Sequence, residues 1–322
     1  MKLLDALVTG LTQGAMFALV SLGYTMVYGV LKLINFAHSE VFMMAAYVGL
    51  IFVALLLGDL SSVNGIVAST RWPGFGVLRE HPVLAIACAT CLAMIGAALL
   101  GVLVERVAYR PLRGRGKSPL TRVTPLVTAL GMSVLLQNLA QLLFTARFRP
   151  YPQVLAGESR LPLVGAISYT RLLVLGAALA VMVVLELVVK RTWFGKAMRA
   201  LSVNEEAARL MGVRTSHVIS LTFAIGSALA ALGAVLFCLD QSQVYPTMGV
   251  VIGTRAFVAA VLGGIGSIPG AMIGGLLIGV LSELVKLTDY SGGADVLVFF
   301  VLICVLLVRP AGLLGSARVE KV

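Results

Sequence analysis

Residues 82–104 read PVLAIACATCLAMIGAALLGVLV, an unbroken run without a charged side chain. An α-helix rises 1.5 Å per residue, so about 20 such residues cross the ~30 Å hydrocarbon core of a bilayer. The run is long enough for that, and it lacks the ~10-residue alternation of a barrel strand. Working outward, stretches of the same character fall near 5–31, 37–58, 123–145, 172–189, 218–239, 249–266, 269–287 and 295–308. The pair 249–266 and 269–287 meets at Gly266-Ser267-Ile268-Pro269-Gly270, so either member reads as a full span or as a re-entrant or broken segment. The expected fold is all-α: a polytopic transmembrane helical bundle of eight to nine spans.

Composition agrees. Of 322 residues, 59% are hydrophobic and 12% charged, against ~45–50% and ~25% in soluble domains. A mean hydropathy of +1.01 leaves too little polar surface to cover a soluble particle of this size. The net charge of +11 does not point to nucleic acid, because basic residues in so apolar a chain sit in loops facing an anionic leaflet. The longest non-apolar stretches, about 146–171 and 190–217, are shorter than the ~40 residues an unaided domain needs. The whole of 1–322 therefore reads as a single transmembrane domain, with no soluble catalytic or nucleotide-binding module.

Loop charges set the sidedness. Sixteen Lys and Arg, concentrated in 105–122 and 190–217 with Lys32 and the C-terminal tail, fall on one face, and eight on the other. The positive-inside rule assigns the first face to the cytoplasm, so nine crossings put the N-terminus outside and the C-terminus inside. Residues 5–31 read as a retained first helix rather than a cleaved signal, since Thr9, Gly10, Thr12, Gln13 and Gly14 interrupt any clean apolar region.

Several motifs dissolve on inspection. Arg113-Gly114-Arg115-Gly116-Lys117-Ser118 looks like the end of a phosphate-binding loop, but Pro111 stands where the first glycine belongs, and Pro119 is expected to block the helix that should follow. Gly264-Ile265-Gly266 has its third glycine misplaced and lacks the βαβ setting of a dinucleotide site. Cys88, Cys91, Cys238 and Cys304 read as small buried residues in spans, with no metal site and no cofactor implied. Small residues recur at four-residue spacing, as in Gly10/Gly14, Gly266/Gly270/Gly274 and Gly275/Gly279, a pattern that lets helix backbones approach closely in lipid.

In the basic segment 195–218, Ser202 and Glu205 fit a capping box, Arg209 the last turn and Gly212 the position after it. That predicts a helix of about nine residues, too short to stand alone in water. Its apolar residues Val203, Ala207, Leu210 and Met211 need a surface, and the residues alone leave lipid headgroups and a cytoplasmic partner equally open. Polar residues within spans are expensive and thus functional candidates: Gln13, Asn35, His38, Glu40, Gln137, Asn138, Gln141 and Arg255 stand out. For His38 and Glu40, capping of the second span fits better than contact with a transported molecule. Buried acid chains of a proton relay and a potassium filter are both missing.

Three spaced blocks carry a resemblance. Leu22-Gly23-Tyr24-Thr25-Met26-Val27-Tyr28-Gly29 with Ile34-Asn35-Phe36-Ala37-His38-Ser39-Glu40, then Ala259 to Ala271 (AAVLGGIGSIPGA), then Leu307 to Gly315 (LVRPAGLLG) resemble branched-chain amino-acid ABC transporter permeases of the LivH type. Ser39 replaces a usual Gly, Arg255 a common Lys, and the 145–171 loop reads as an expansion. By resemblance, Glu206-Ala207-Ala208 followed by Gly212 is a diverged form of the motif through which importer permeases dock on their ATPases, without the Ile-x-Leu-Pro of other classes. The resemblance implies a transport subunit of a bacterial inner membrane, lacking its own nucleotide site. Its implied partners are a paralogous permease, two cytoplasmic ATPase subunits, a periplasmic substrate-binding protein and membrane lipid. The pathway candidates are then Gln13, Asn35, His38, Glu40, Asn138 and Arg255. Urea or short amides within the same family, or a stand-alone carrier, are the alternative readings.

Overall fold

The computed structural model describes residues 2–58, 78–112, 119–152, 169–288 and 291–315; the loop 113–118 lies outside them. Their helices are α1 (Lys2–Leu31), α2 (His38–Leu57), α3 (Pro82–Val104), α4 (Pro119–Phe144), α5 (Tyr169–Arg191), α6 (Trp193–Val203), α7 (Glu205–Leu210), α8 (Thr215–Gln241), α9 (Met248–Gly263), α10 (Ile268–Lys286) and α11 (Ala294–Val308). Every apolar stretch expected from the sequence has its helix. Among the described residues, α1, α2, α3, α4, α5, α8 and α10 are long and apolar enough to cross a membrane, while α9 and α11 are apolar but shorter, at 16 and 15 residues. α4 starts at Pro119 itself, correcting the expectation that this proline blocks a helix: its fixed φ and missing N–H suit a first turn.

Two units divide the chain, with the division falling inside α8 and α9. The first comprises Met1–Lys32, Arg160–Ile219 and Thr254–Val322. There α1 packs along α10 with backbone against backbone. A Cβ built on Gly279 would lie 2.3 Å from Gly14 Cα, and one on Gly14 2.8 Å from Gly275 O. Lipid supplies little hydrophobic drive between helices, so this close approach is what generates the attraction. The break near Pro269 is a helical hairpin. Gly264 and Gly266 take φ of +103° and +96°, and Ser267 Oγ accepts from Gly270 N at 3.2 Å to cap α10. After α11, Leu313 N and Leu314 N donate to Leu262 O and Gly263 O at 2.9 and 3.0 Å, satisfying carbonyls that the end of α9 would otherwise leave unpaired. At the opposite end of the unit, Arg171 binds Asp5 at 3.2 Å and Thr9 at 2.8 Å.

The second unit comprises Leu33–Ser159 and Ser220–Gly253. α2 packs against α3 and α4; Tyr47 stacks on Phe144 at 4.1 Å, and Phe42 meets Phe237 edge-on at 6.2 Å. Two short antiparallel strands, β1 (Arg149–Pro150) and β2 (Gln243–Val244), tie the segments after α4 and α8 together. Tyr151 follows β1, its N–H donating to Ser242 O at 2.9 Å, and burial pushes its hydroxyl pKa well above the usual range. α3 does not stop where its apolar run ends: a π-helical turn, Glu105–Tyr109, and a 3-10 turn, Arg110–Leu112, extend it.

Candidate functional site

The basic segment after α5 forms two helices rather than one. Thr192 Oγ1 accepts from Gly195 N at 3.4 Å to start α6. A Cβ on Gly195 would lie 1.8 Å from Val189 O, so only glycine permits the sharp corner from α5. α6 buries Phe194, Ala197, Met198 and Leu201 and exposes Trp193, Lys196 and Arg199. The expected cap moves by two residues: Ser202 is still inside α6 and donates to Arg199 O, while Asn204 is extended and its Oδ1 accepts from Ala207 N at 3.0 Å. α7 therefore has six residues instead of about nine. It ends in a Schellman motif: Gly212 at φ +84°, Gly212 N to Arg209 O at 3.1 Å and Val213 N to Ala208 O at 3.0 Å. Glu206 and Ala207 are exposed and Ala208 is buried. Leu210 and Met211 are 87% and 84% exposed, so α7 and its C-cap present apolar side chains that the described residues leave uncovered.

Beside α6, the first unit holds a pocket of about 680 Å³. All three quoted sequence blocks line it: Thr25 and Tyr28 from the first, Gly266 and Ser267 from the second, Pro310 and Leu314 from the third. Lys32, Met198 and Arg199 complete the wall. The ends of α1, α5 and α11 and the α9–α10 turn thus share one end of the unit, the end to which the count of basic residues assigns the cytoplasm.

In the second unit a buried polar layer gathers at the start of α2. Asn35 Oδ1 accepts from the Tyr109 hydroxyl at 2.7 Å. His38 and Glu40 are buried, and neither caps the helix: the N-cap residue is Ala37, with no side-chain bond. The entry to α2 is closed by backbone, with His38 N donating to Asn35 O, which turns both side chains inward. Glu40 packs on Gly249, where an added Cβ would meet Oε2 at 2.7 Å. Ser39 donates to Phe36 O, and both carboxylate oxygens of Glu40 are buried with no hydrogen-bond partner among the described residues. In the π-helical turn, buried Glu105 accepts from Ser220 Oγ at 2.7 Å.

The other pathway candidates lie apart. Gln13 is buried on α1, one turn before Phe17. The Arg255 guanidinium sits 5.9 Å from the Phe17 ring and pairs with Asp295 at 2.8 Å. Asn138 is on the exposed face of α4 and donates to Val134 O. Gln13 and Arg255 thus belong to the first unit, and Asn35, His38, Glu40 and Asn138 to the second. Of the cysteines, Cys238 alone is buried, against the expectation for all four; Cys88 is half-buried, and Cys91 and Cys304 are exposed on helix faces that the described residues leave uncovered. Among the described residues no group of three potential metal ligands occurs.

Residues 6–307 match the family described as branched-chain amino acid transport system / permease component. The chain belongs to this family. The high-affinity branched-chain amino acid transport system permease protein BraD of Pseudomonas aeruginosa is 41% identical over 99% of this chain and 98% of its own. The corresponding permease protein LivH of Escherichia coli K12 is 38% identical over 99% and 97%. The ribose import permease protein RbsC of Haemophilus influenzae is 33% identical over a shorter stretch, 32% of this chain and 34% of its own. No solved structure matches.

In this branched-chain amino acid permease family member, Glu105, Tyr109 and Ser220 join the candidate layer although none stood out in the sequence. Glu105 directly follows an apolar run and precedes a cluster of arginines, so it resembled the first charge of a loop. An acid at the margin of a span is a signal only once the helix is known to continue.

Proposed function

We propose that this chain is one of two permease subunits of a bacterial inner-membrane ABC importer for branched-chain amino acids. The whole chain acts as one permease domain without a nucleotide site of its own. ATP is hydrolysed by two cytoplasmic ATPase subunits, a periplasmic binding protein delivers the amino acid, and a paralogous permease supplies the other half of the pathway. The observation that carries this reading is identity of 38–41% along nearly the full length to high-affinity branched-chain amino acid permeases. That extent favours branched-chain cargo over urea or amides, and a transport-system component over a stand-alone carrier.

Within this reading α7 is the ATPase-docking element, through Glu206, Ala207, Ala208 and Gly212. Its exposed Leu210 and Met211 call for a partner, and its exposed Glu205 and Glu206 are repelled by anionic headgroups, so a protein surface fits better than lipid. Asn35, His38, Glu40 and Asn138, with Gln13 and Arg255, are the pathway candidates. ATPase closure pulls on α7, and the movement opens the route between permeases. Glu206→Lys tests the docking role: it leaves the protein inserted in the membrane, while ATPase co-purification and leucine uptake both fall. Normal values of both for that variant contradict it.

A further inference from the structure

The pocket beside α6 is lined by two cations, Lys32 and Arg199, by the polar side chains of Thr25, Tyr28, Ser202 and Ser267, and otherwise largely by apolar side chains. Lys32 follows the last residue of α1 with φ of +55°, a left-handed conformation that penalises a residue bearing Cβ by ~1–2 kcal/mol. Glycine is the usual residue there; a lysine brings a charge to the pocket. Its Nζ binds Gly29 O at 3.2 Å and lies 5.8 Å from the centre of the Tyr28 ring. Arg199 enters from α6, tethered by a bond from Nη1 to Val189 O at 2.6 Å. A guanidinium presents N–H donors in a rigid fork that matches phosphate oxygens. The N-terminus of α10, through Gly266, Ser267 and Ile268, opens on the same space and adds the positive end of a 19-residue helix dipole. No Asp or Glu is among the described residues lining it. Met26, Val30, Met198, Leu306 and Leu314 supply apolar wall.

We infer that this pocket binds the headgroup of an anionic phospholipid of the cytoplasmic leaflet, its phosphate diester between Lys32 and Arg199 and its first methylenes on the apolar wall. The corner between α5 and α6 places the pocket at headgroup level: Trp193, 66% exposed, follows exposed Lys190 and Arg191 in the chain and precedes exposed Lys196, the combination of aromatic and basic side chains that marks a membrane interface. A small inorganic anion would use the two cations and have no use for the apolar wall.

The test uses the complete importer, purified with its ATPase subunits and its other partners, and native mass spectrometry with added phosphatidylglycerol or phosphatidylethanolamine of the same acyl chains. About one phosphatidylglycerol per copy of this chain is expected to be retained in preference to phosphatidylethanolamine. Lys32→Gly and Arg199→Gln should each weaken retention about fivefold, and the double variant by the product of the two. Lys32→Gly relieves the left-handed backbone, so loss of lipid in a monodisperse Lys32→Gly complex cannot be laid to misfolding. Equal retention by wild type and variants, no preference between the lipids, displacement by millimolar inorganic phosphate, or a complex free of phosphatidylglycerol while its ATPases are bound would each overturn the assignment.

Discussion

Replacing Gly279 by alanine tests the packing on which the first unit rests. The added Cβ would lie 2.3 Å from Gly14 Cα and from Gly10 O, where ordinary carbon contacts are ~3.5–4.0 Å. Backbone cannot rotate away as a side-chain tip can, so α1 must retreat by about 1.2 Å or α10 must turn, opening the interface around Gly10, Gly14 and Gly275. Overpacking of this kind costs ~1–3 kcal/mol, partly offset by the ~1 kcal/mol helix preference of alanine over glycine. Gly176→Ala in α5 isolates that second effect, because its added Cβ meets nothing within 4 Å. Thermal denaturation of the purified protein in detergent should therefore show a midpoint several degrees lower for Gly279→Ala and no loss for Gly176→Ala. Equal midpoints for wild type and both variants would refute a backbone-to-backbone interface.

Two further substitutions probe the elements around the candidate sites. Glu105→Ala removes the buried acceptor of Ser220 and should destabilise by ~1–3 kcal/mol, whereas Glu105→Gln keeps an acceptor oxygen and should recover most of the loss in the same melting assay; identical losses would show that the hydrogen bond is immaterial. Gly212→Val forces a β-branched residue to the φ of +84°, at ~1–2 kcal/mol, and should loosen the end of α7. Reduced ATPase retention on affinity purification is expected, and unchanged retention would separate α7 geometry from docking.

Much of this architecture was legible because membrane spans are written in long, simple signals. The charge-free run in α3 and its counterparts located all nine apolar helices within a few residues, and the glycine spacing of α1 and α10 marked both as helices suited to close packing, though not as partners of each other. Local competition was harder to read. Ser202 with Glu205 matched a capping box, yet Ser202 lies in the last turn of α6 and Asn204 takes the cap, because two adjacent helices compete for the same polar residues. Pro119 was read as a breaker where it is a starter, a matter of position within the turn. His38 and Glu40 looked like caps from their place at a span boundary, but burial depends on neighbours distant in the chain, such as Gly249. The same limitation hid the convergence of the three sequence blocks on one pocket and the pairing of Glu105 with Ser220 across 115 residues.

Carriage of branched-chain amino acids by this chain, with energy supplied by other chains, is measured by uptake. Proteoliposomes holding this chain with its paralogous permease and ATPase subunits, given the binding protein outside and ATP inside, should accumulate labelled leucine. Accumulation should stop when ATP, the ATPases or the binding protein is omitted. Leucine accumulation by this chain alone, driven by an ion gradient without ATP, would contradict the account.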